Sequence, residues 1–222
     1  MATVGIVGSG RIGGTVAKLA VDAGIDVVVS NSRGPDTLSE LVADLGQRAR
    51  ASTPAEAAQG GDLVLVSVPL KAYPSLSNIG LVDKVVMDTG NYYPERDGEI
   101  AELSAHTLTD SEYLARHLPG AEVVKVFNNI FFKHLLNLAR PKDAPDRSAL
   151  PIAGDESSAK AAVRAFLDLI GYDVVDSGPL SEGWRQQPGT PVYGPPYGSF
   201  DNENGTPATA TSIREALAAA KG

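Results

Sequence analysis

The feature that most constrains this chain lies at its start. An apolar run, Val4-Gly5-Ile6-Val7, leads into Gly8-Ser9-Gly10-Arg11-Ile12-Gly13-Gly14 and then into a helical pattern. Gly8, Gly10 and Gly13 have G-x-G-x-x-G spacing. A strand, a glycine turn and a helix start, in that order, suit a dinucleotide. Gly8 allows the tight turn, Gly10 has no side chain to hold a pyrophosphate off the backbone, and Gly13 lets the helix pack close to the strand. The free N–H groups of the helix start, helped by the helix dipole, face the phosphates. The same spacing also serves a plain strand-to-helix turn, so the downstream chain has to decide between the two.

The chain beyond Gly14 alternates between strand and helix. Continuous apolar runs predict strands over 3–7, 26–30, 62–68, 84–88 and 122–127, with shorter ones over 49–52, 150–153 and 172–175. Runs of this kind belong to strands covered on both faces, as in parallel sheets. Apolar residues at helical spacing predict helices over 11–23, 37–45, 111–118, 131–139 and 157–170, and a short one over 71–76 broken by Pro74. Thr53-Pro54-Ala55-Glu56 reads as a capping box. Residues 90–97 and 140–148 read as loops. The pattern predicts an α/β, Rossmann-type, doubly wound and mostly parallel sheet with helices on both faces. Past Asp176 the chain turns rich in Gly, Pro and Tyr, which predicts loop over 178–205 and a final alanine-rich helix over 211–220. The division expected is a nucleotide-binding domain, 1–182, and an extension, 183–222, that docks on it or on a second subunit.

Composition removes several functions. The 222 residues are 43% hydrophobic, enough for a proper core. A net charge of −8 leaves no basic excess for nucleic acid. There is no cysteine, which excludes disulfides, thiolate nucleophiles and cysteine metal sites, and the three histidines are scattered. No apolar run reaches the roughly 18 residues of a membrane span, and the start of the sequence does not read as a secretory signal. A soluble, cytoplasmic protein without a metal is expected.

The tip of the second strand selects the nucleotide. An NAD site usually has an Asp or Glu about 20 residues past the glycines. Here the tip is Ser30-Asn31-Ser32-Arg33, and the nearest carboxylate is Asp36, beyond a Gly-Pro turn. Hydroxyl, amide and guanidinium would all donate to a 2′-phosphate, and Arg33 can add a charge-assisted pair. The tip predicts NADP(H); the competing reading is an ordinary polar turn. Two further strand ends fit the same cleft. Val68-Pro69 could pack under the nicotinamide half, and Asn91 could reach its ribose; each also reads as a turn.

With these residues in view, the chain resembles the F420-dependent NADP oxidoreductase family and its dinucleotide-binding relatives. The resemblance rests on Gly8-Ser9-Gly10-Arg11-Ile12-Gly13, Ser30-Asn31-Ser32-Arg33, Val68-Pro69, Val123 to Ile130, Pro151-Ile152-Ala153-Gly154-Asp155 and Asp176-Ser177-Gly178-Pro179-Leu180. It implies hydride transfer between NADP(H) and a deazaflavin (F420) or a flavin. It also implies that Ser9, Arg11, Ile12, Ser32 and Arg33 hold NADP(H) and that Asn128 to Ile130 border the second ring. The segment from Trp184 to Gly194 and the tail after it depart from the deazaflavin reductases, whose later helices complete the pocket and the dimer. A homodimer is the expected assembly.

Such a transfer needs two rings held together in a dry slot more than it needs acid–base groups. The chain has no obvious catalytic dyad. Asn128 and His134 are the catalytic candidates: the Asn128 and Asn129 amides could bind the acceptor, and His134 could protonate it. Turn capping and plain packing are the competing roles. Trp184, Tyr193 and Tyr197 could stack on an acceptor or bury the tail, and Tyr92 and Tyr93 could line the cleft or anchor their loop. Two other functions remain open, reduction of a small carbonyl or imine and NADP(H) sensing without turnover.

Overall fold

The structure is a computed structural model that describes residues 3–221. In chain order, β1 (Thr3–Val7), α1 (Arg11–Asp22), β2 (Asp26–Ser30), α2 (Ser39–Leu45), β3 (Ala49–Ser52), α3 (Pro54–Gly60) and β4 (Leu63–Val66) form the first half. Then come β5 (Val85–Asp88), α4 (Pro94–Asp97), α5 (Ala101–Ser104), α6 (Asp110–His117), β6 (Glu122–Lys125) and α7 (Phe132–Asn137). The remainder is β7 (Ala149–Gly154), α8 (Ser157–Leu169), β8 (Asp173–Asp176) and α9 (Ala210–Ala219).

The strands form one sheet in the order β3-β2-β1-β4-β5-β6-β7-β8. The chain winds outward from β1 to β3, then returns to place β4 on the other side of β1. That reversal opens a crevice at the carboxyl ends of β1 and β4, where open α/β sheets take their ligands. Pairing is parallel from β3 to β6, with Thr3 beside Asp26 and Val4 beside Leu63. It turns antiparallel between β6 and β7, where Lys125 faces Ala153, and is parallel again to β8.

Alternate side chains of each strand feed two cores. Val4, Ile6, Val27, Val29 and Leu65 join α1, α7, α8 and α9 on one face. Val7, Val28, Val64 and Val66 join α3, α6 and the 3-10 helix Leu70–Asn78 on the other. Each such side chain, once fully buried, contributes about 1.5–3 kcal/mol. Both capping boxes that fix helix starts close on themselves: Thr53 with Glu56, and Thr109 with Glu112.

Several boundaries differ from the sequence expectation, each for a local reason. Residues 71–76 lie in that 3-10 helix rather than in an α-helix. The 90–97 loop carries the single turn α4, with Pro94 at its start. Strand six stops at Lys125, because Phe127 takes a left-handed backbone with φ 64°. The tail contains 3-10 turns at Leu180–Gln186 and Pro195–Tyr197. It packs on its own sheet: Tyr197 is fully buried and donates to the Ala149 carbonyl at 2.9 Å.

Candidate functional site

The glycine turn separates into three roles. Gly8 has φ 103°, and its N–H donates to the Ser30 carbonyl at 3.1 Å, tying the turn to the tip of β2. A Cβ there would lie 2.2 Å from the Ser67 carbonyl oxygen. A Cβ on Gly13 would lie 2.0 Å from the Gly8 carbonyl oxygen. The protein's own packing therefore demands both glycines. At Gly10 nothing lies within 4 Å of a Cβ position, so this glycine keeps a space open. Helix α1 starts there with no side chain capping it and no acid in its first turn. Its first N–H groups are available to an anion, which fits a dinucleotide pyrophosphate.

A cavity of about 430 Å³ adjoins this turn, lined by Gly8, Ser9, Gly10, Asn31, Ser32, Arg33, Val68 and Pro69 among others. At the β2 tip the candidate donors divide. Ser30 is fully buried and donates to the Ile6 carbonyl at 2.8 Å. Asn31 builds the turn: its Oδ1 accepts from the Arg33 N–H at 2.8 Å and its Nδ2 donates to Thr37 Oγ1 at 2.9 Å. Ser32 and Arg33 are exposed at the cavity, so Asn31 holds the loop that presents them. Val68 and Pro69 line this larger cavity, on the Arg33 side of the cleft.

A second cavity of about 240 Å³ is lined by Arg11, Ile12, Thr89, Asn91, Asn128, Tyr193 and Phe200, with Phe131 and Phe132 nearby on its wall. The glycine turn thus borders the larger space and the first residues of α1 the smaller one. The Arg11 guanidinium lies over the Phe132 ring, 5.3 Å from its centroid. Asn91 and Asn128 bond reciprocally: Asn91 Nδ2 donates to the Asn128 carbonyl at 2.8 Å, and Asn128 Nδ2 to Asn91 Oδ1 at 2.9 Å. Asn128 also donates to the Gln186 carbonyl at 2.6 Å, and Asn129 to the Val192 carbonyl at 3.1 Å. The strained backbone of Phe127 aims these two amides at the tail.

Beneath Asn91 lies a polar cluster that sequence reasoning missed. Asp88 is fully buried and accepts from Tyr73 at 2.9 Å, Ser111 at 2.6 Å and the Gly90 N–H at 2.9 Å. Lys125, fully buried on the neighbouring strand, donates to the Gly90 carbonyl at 3.0 Å. Asp110 accepts from the Tyr92 N–H at 3.0 Å. Burial pushes the Asp110 carboxyl above the usual carboxylate range, while Lys125 and the Tyr92 N–H pull it back. Burial, then the Asp88 charge, push the Tyr73 phenol well above its ordinary value. The backbone of 90–92 is thereby clamped from below. The available signal was a charged residue at the carboxyl end of two strands with apolar centres, Asp88 and Lys125.

The remaining candidates lie elsewhere. His134 is fully buried, with Nε2 2.8 Å from the Asn202 carbonyl oxygen and its ring against Gly205 and Phe131. The tail covers it, and no edge of the ring is left open to the cleft. It follows Asn128 closely in sequence, but α7 turns it inward. Of Trp184, Tyr193 and Tyr197, Tyr193 lines the second cavity. Tyr197 is core, and Trp184 sits under the Arg185 guanidinium at 4.5 Å. Tyr92 anchors its loop, donating to the Gly98 carbonyl at 3.1 Å and accepting from the Ile100 N–H at 2.9 Å. No helix among the described residues is long and apolar enough to cross a membrane.

Fold and cleft together define a doubly wound, Rossmann-type nucleotide-binding protein. Residues 3–92, which carry the glycine turn, the β2 tip and Val68-Pro69, match the family described as NADP oxidoreductase, coenzyme F420-dependent. That match supports an oxidoreductase that uses NADP(H). Over 53 residues the chain is 40% identical to the protein YjhV of Escherichia coli (strain K12), which covers 24% of this chain and 39% of that one. The chain therefore matches well under half the length of that relative. Among solved structures, SMa0349 of Sinorhizobium meliloti is 29% identical, with a TM-score of 0.76 over 86% of this chain and 93% of that one. A candidate F420-dependent NADP reductase from Arthrobacter sp. FB24 is 22% identical, with a TM-score of 0.67 over 82% and 87% of the two chains, and shares the fold.

Proposed function

We propose that this protein is an NADPH-dependent oxidoreductase that transfers hydride between NADP(H) and a planar redox acceptor, an F420-like deazaflavin or a flavin. The observation that carries the reading is the pair of cavities bordering one helix start, the larger edged by an exposed guanidinium. Ser9, Gly10, Arg11 and Ile12 would hold the pyrophosphate through their N–H groups, with Gly8 making the tight turn whose own N–H is bonded to Ser30. Ser32 and Arg33 would hold the 2′-phosphate, with Asn31 setting their loop and Val68 and Pro69 lining the same cavity. Asn91 and Asn128 would edge the slot for the reacting rings, with Phe131, Phe132 and Phe200 at its mouth. When bound, NADPH supplies the hydride. The residues of the slot orient the rings and exclude water.

In this reading residues 1–182 are the nucleotide-binding domain, residues 183–222 close the second cavity, and the protein works as a cytoplasmic homodimer. Nicotinamide fluorescence, titrated with NADPH and NADH, tests the nucleotide, and equal affinities would overturn NADP(H) selectivity. NADPH oxidation with F420, FMN, FAD and simple quinones tests the acceptor. Turnover with none of them would favour an NADP(H)-binding sensor. Light scattering on the purified protein reads the assembly.

A further inference from the structure

Tyr193 reaches the second cavity from the tail, and its hydroxyl lies on that wall beside Asn91. It is 2.5 Å from the Tyr93 hydroxyl and 3.4 Å from Asn91 Nδ2. A phenol oxygen has two lone pairs and one proton. The Asn91 N–H occupies one lone pair, and the Tyr93 O–H, when it donates, occupies the other. In that arrangement the Tyr193 proton is not used by the pair, and Tyr193 is one of the residues that line the cavity. Both neighbours are held by one arginine. The Arg96 guanidinium lies 5.0 Å from the Tyr93 ring centroid, and its Nη2 donates to the Asn91 carbonyl at 2.5 Å. Burial, first of all, pushes the Tyr193 phenol above the ordinary tyrosine range; Arg96 opposes this and Asp110 adds to it. A phenol carries its proton at neutral pH and can donate it.

We propose that Tyr193 is the proton donor to the acceptor that receives the hydride, with Tyr93 re-supplying it. This rests on the oxidoreductase reading above. Reduction of a flavin, deazaflavin or quinone ring takes a hydride and a proton. The hydride brings both electrons from NADPH, which leaves as NADP+. The π electrons of the acceptor shift to a carbonyl oxygen or ring nitrogen, and that atom bonds to the Tyr193 proton as the phenol O–H breaks. The Tyr93 proton passes to the Tyr193 oxygen, and water returns one to Tyr93. In sum, NADPH, acceptor and one proton give NADP+ and the dihydro-acceptor.

The test compares the full-length wild type with Tyr193→Phe and Tyr93→Phe, using FMN, F420 and menadione as probes. Three quantities are read: NADPH affinity by nicotinamide fluorescence, the carbonyl stretch of the bound oxidised probe by Raman difference, and kcat in light and heavy water. Tyr193→Phe is expected to bind NADPH as the wild type does, return the carbonyl stretch toward its free value, and lower kcat by about 10²–10³-fold, within the range of a general acid. Tyr93→Phe is expected to keep the carbonyl shift and lower kcat by less. Wild-type kcat and an unchanged carbonyl stretch in Tyr193→Phe overturn the proton donor and leave the oxidoreductase reading standing. Oxidation of NADPH by none of the probes in the wild type overturns both. Should Tyr193→Phe fail to fold, an unchanged kcat and solvent isotope effect in Tyr93→Phe overturn the relay.

Discussion

The two cavities that share the start of α1 are made from different materials. The larger is made from backbone and local sequence: Gly8 to Gly10, the turn at Asn31 to Arg33, and Val68-Pro69, all from the first third of the chain. The smaller is made from side chains brought together across the whole molecule, Arg11 and Ile12 with Asn91, Asn128, Tyr193 and Phe200. A backbone cradle recognises what dinucleotides share, a pyrophosphate and a ribose, and a short motif suffices to specify it. A side-chain slot discriminates among acceptors, and it depends on packing that only the completed fold supplies. The first can be lost by one added methyl group, whereas the second is lost by removing its support.

The largest expected effect is on that support. Lys125→Met removes the ammonium group beneath the 90–92 backbone and leaves Asp88 and Asp110 buried without it. Stripping one partner from a buried charge cluster costs about 3–5 kcal/mol. Urea unfolding should report a loss of that size, with nucleotide binding recovered wherever the protein remains folded. A loss under about 1 kcal/mol would mean that Lys125 does not hold the second cavity together.

The glycines of the turn give a sharper contrast. Gly13→Ala sets a methyl group 2.0 Å from the Gly8 carbonyl oxygen, backbone against backbone, and α1 must shift. A loss of about 3 kcal/mol is expected in stability, at the upper end of overpacking costs, with NADPH affinity falling too. Gly10→Ala meets nothing within 4 Å. It should leave stability within about 1 kcal/mol of wild type, the scale of an N-cap change, while NADPH affinity falls. Thermal unfolding beside fluorescence titration separates the two. Equal NADPH affinity in Gly10→Ala and wild type would remove the pyrophosphate from that space.

This contrast also explains what the sequence could disclose. The sheet, its direction from β1 to β6 and the capping box at Thr53 follow from period and spacing, which are local properties; the second box, at Thr109, starts its helix a residue before the expected one. The first cavity was legible for the same reason. The antiparallel turn at β7 was not, because a buried strand reads alike in either direction. Nor was the Tyr93–Tyr193 bond, which joins residues 100 apart in sequence. His134 misleads in sequence, since a histidine just after the cleft invites a catalytic role, and only the tail laid over α7 shows it fully buried. Asn31 shows a subtler limit: the residue type was right for a phosphate donor, but its amide is committed to the turn.

Arg33→Ala addresses the nucleotide choice alone. Arg33 is exposed at the cavity edge, so stability should hold within about 0.5 kcal/mol. Loss of a hydrogen bond to a charged group is worth about 1.5–3 kcal/mol, or roughly 10- to 150-fold in affinity. NADP(H) should weaken by that factor and NAD(H) should not. A parallel loss of both nucleotides would move Arg33 from the 2′-phosphate to the pyrophosphate.

The smallest effect returns to the second cavity and comes with a pH signature. Asp97 closes the loop that carries Asn91 and Tyr93: it accepts from Arg96 Nη2 at 2.7 Å, the Tyr93 N–H at 3.3 Å and the Lys71 N–H at 3.4 Å. Burial raises its carboxyl, but Arg96 and the two N–H groups outweigh that and hold it below its ordinary value of 3.8. A carboxyl lowered by folding adds stability that is present above its unfolded value and disappears as pH falls through the folded one. Asp97→Asn should therefore cost about 1 kcal/mol at neutral pH, a modest figure because the Arg96 side chain is partly in water. Thermal unfolding of the two proteins side by side should show a gap that stays constant down to about pH 4 and then closes. A gap that persists at lower pH would assign the loss to the shape of the side chain and not to its charge. The loop behind Tyr93 would then be held by local shape, as the first cavity is, and the contrast between the two cavities would narrow.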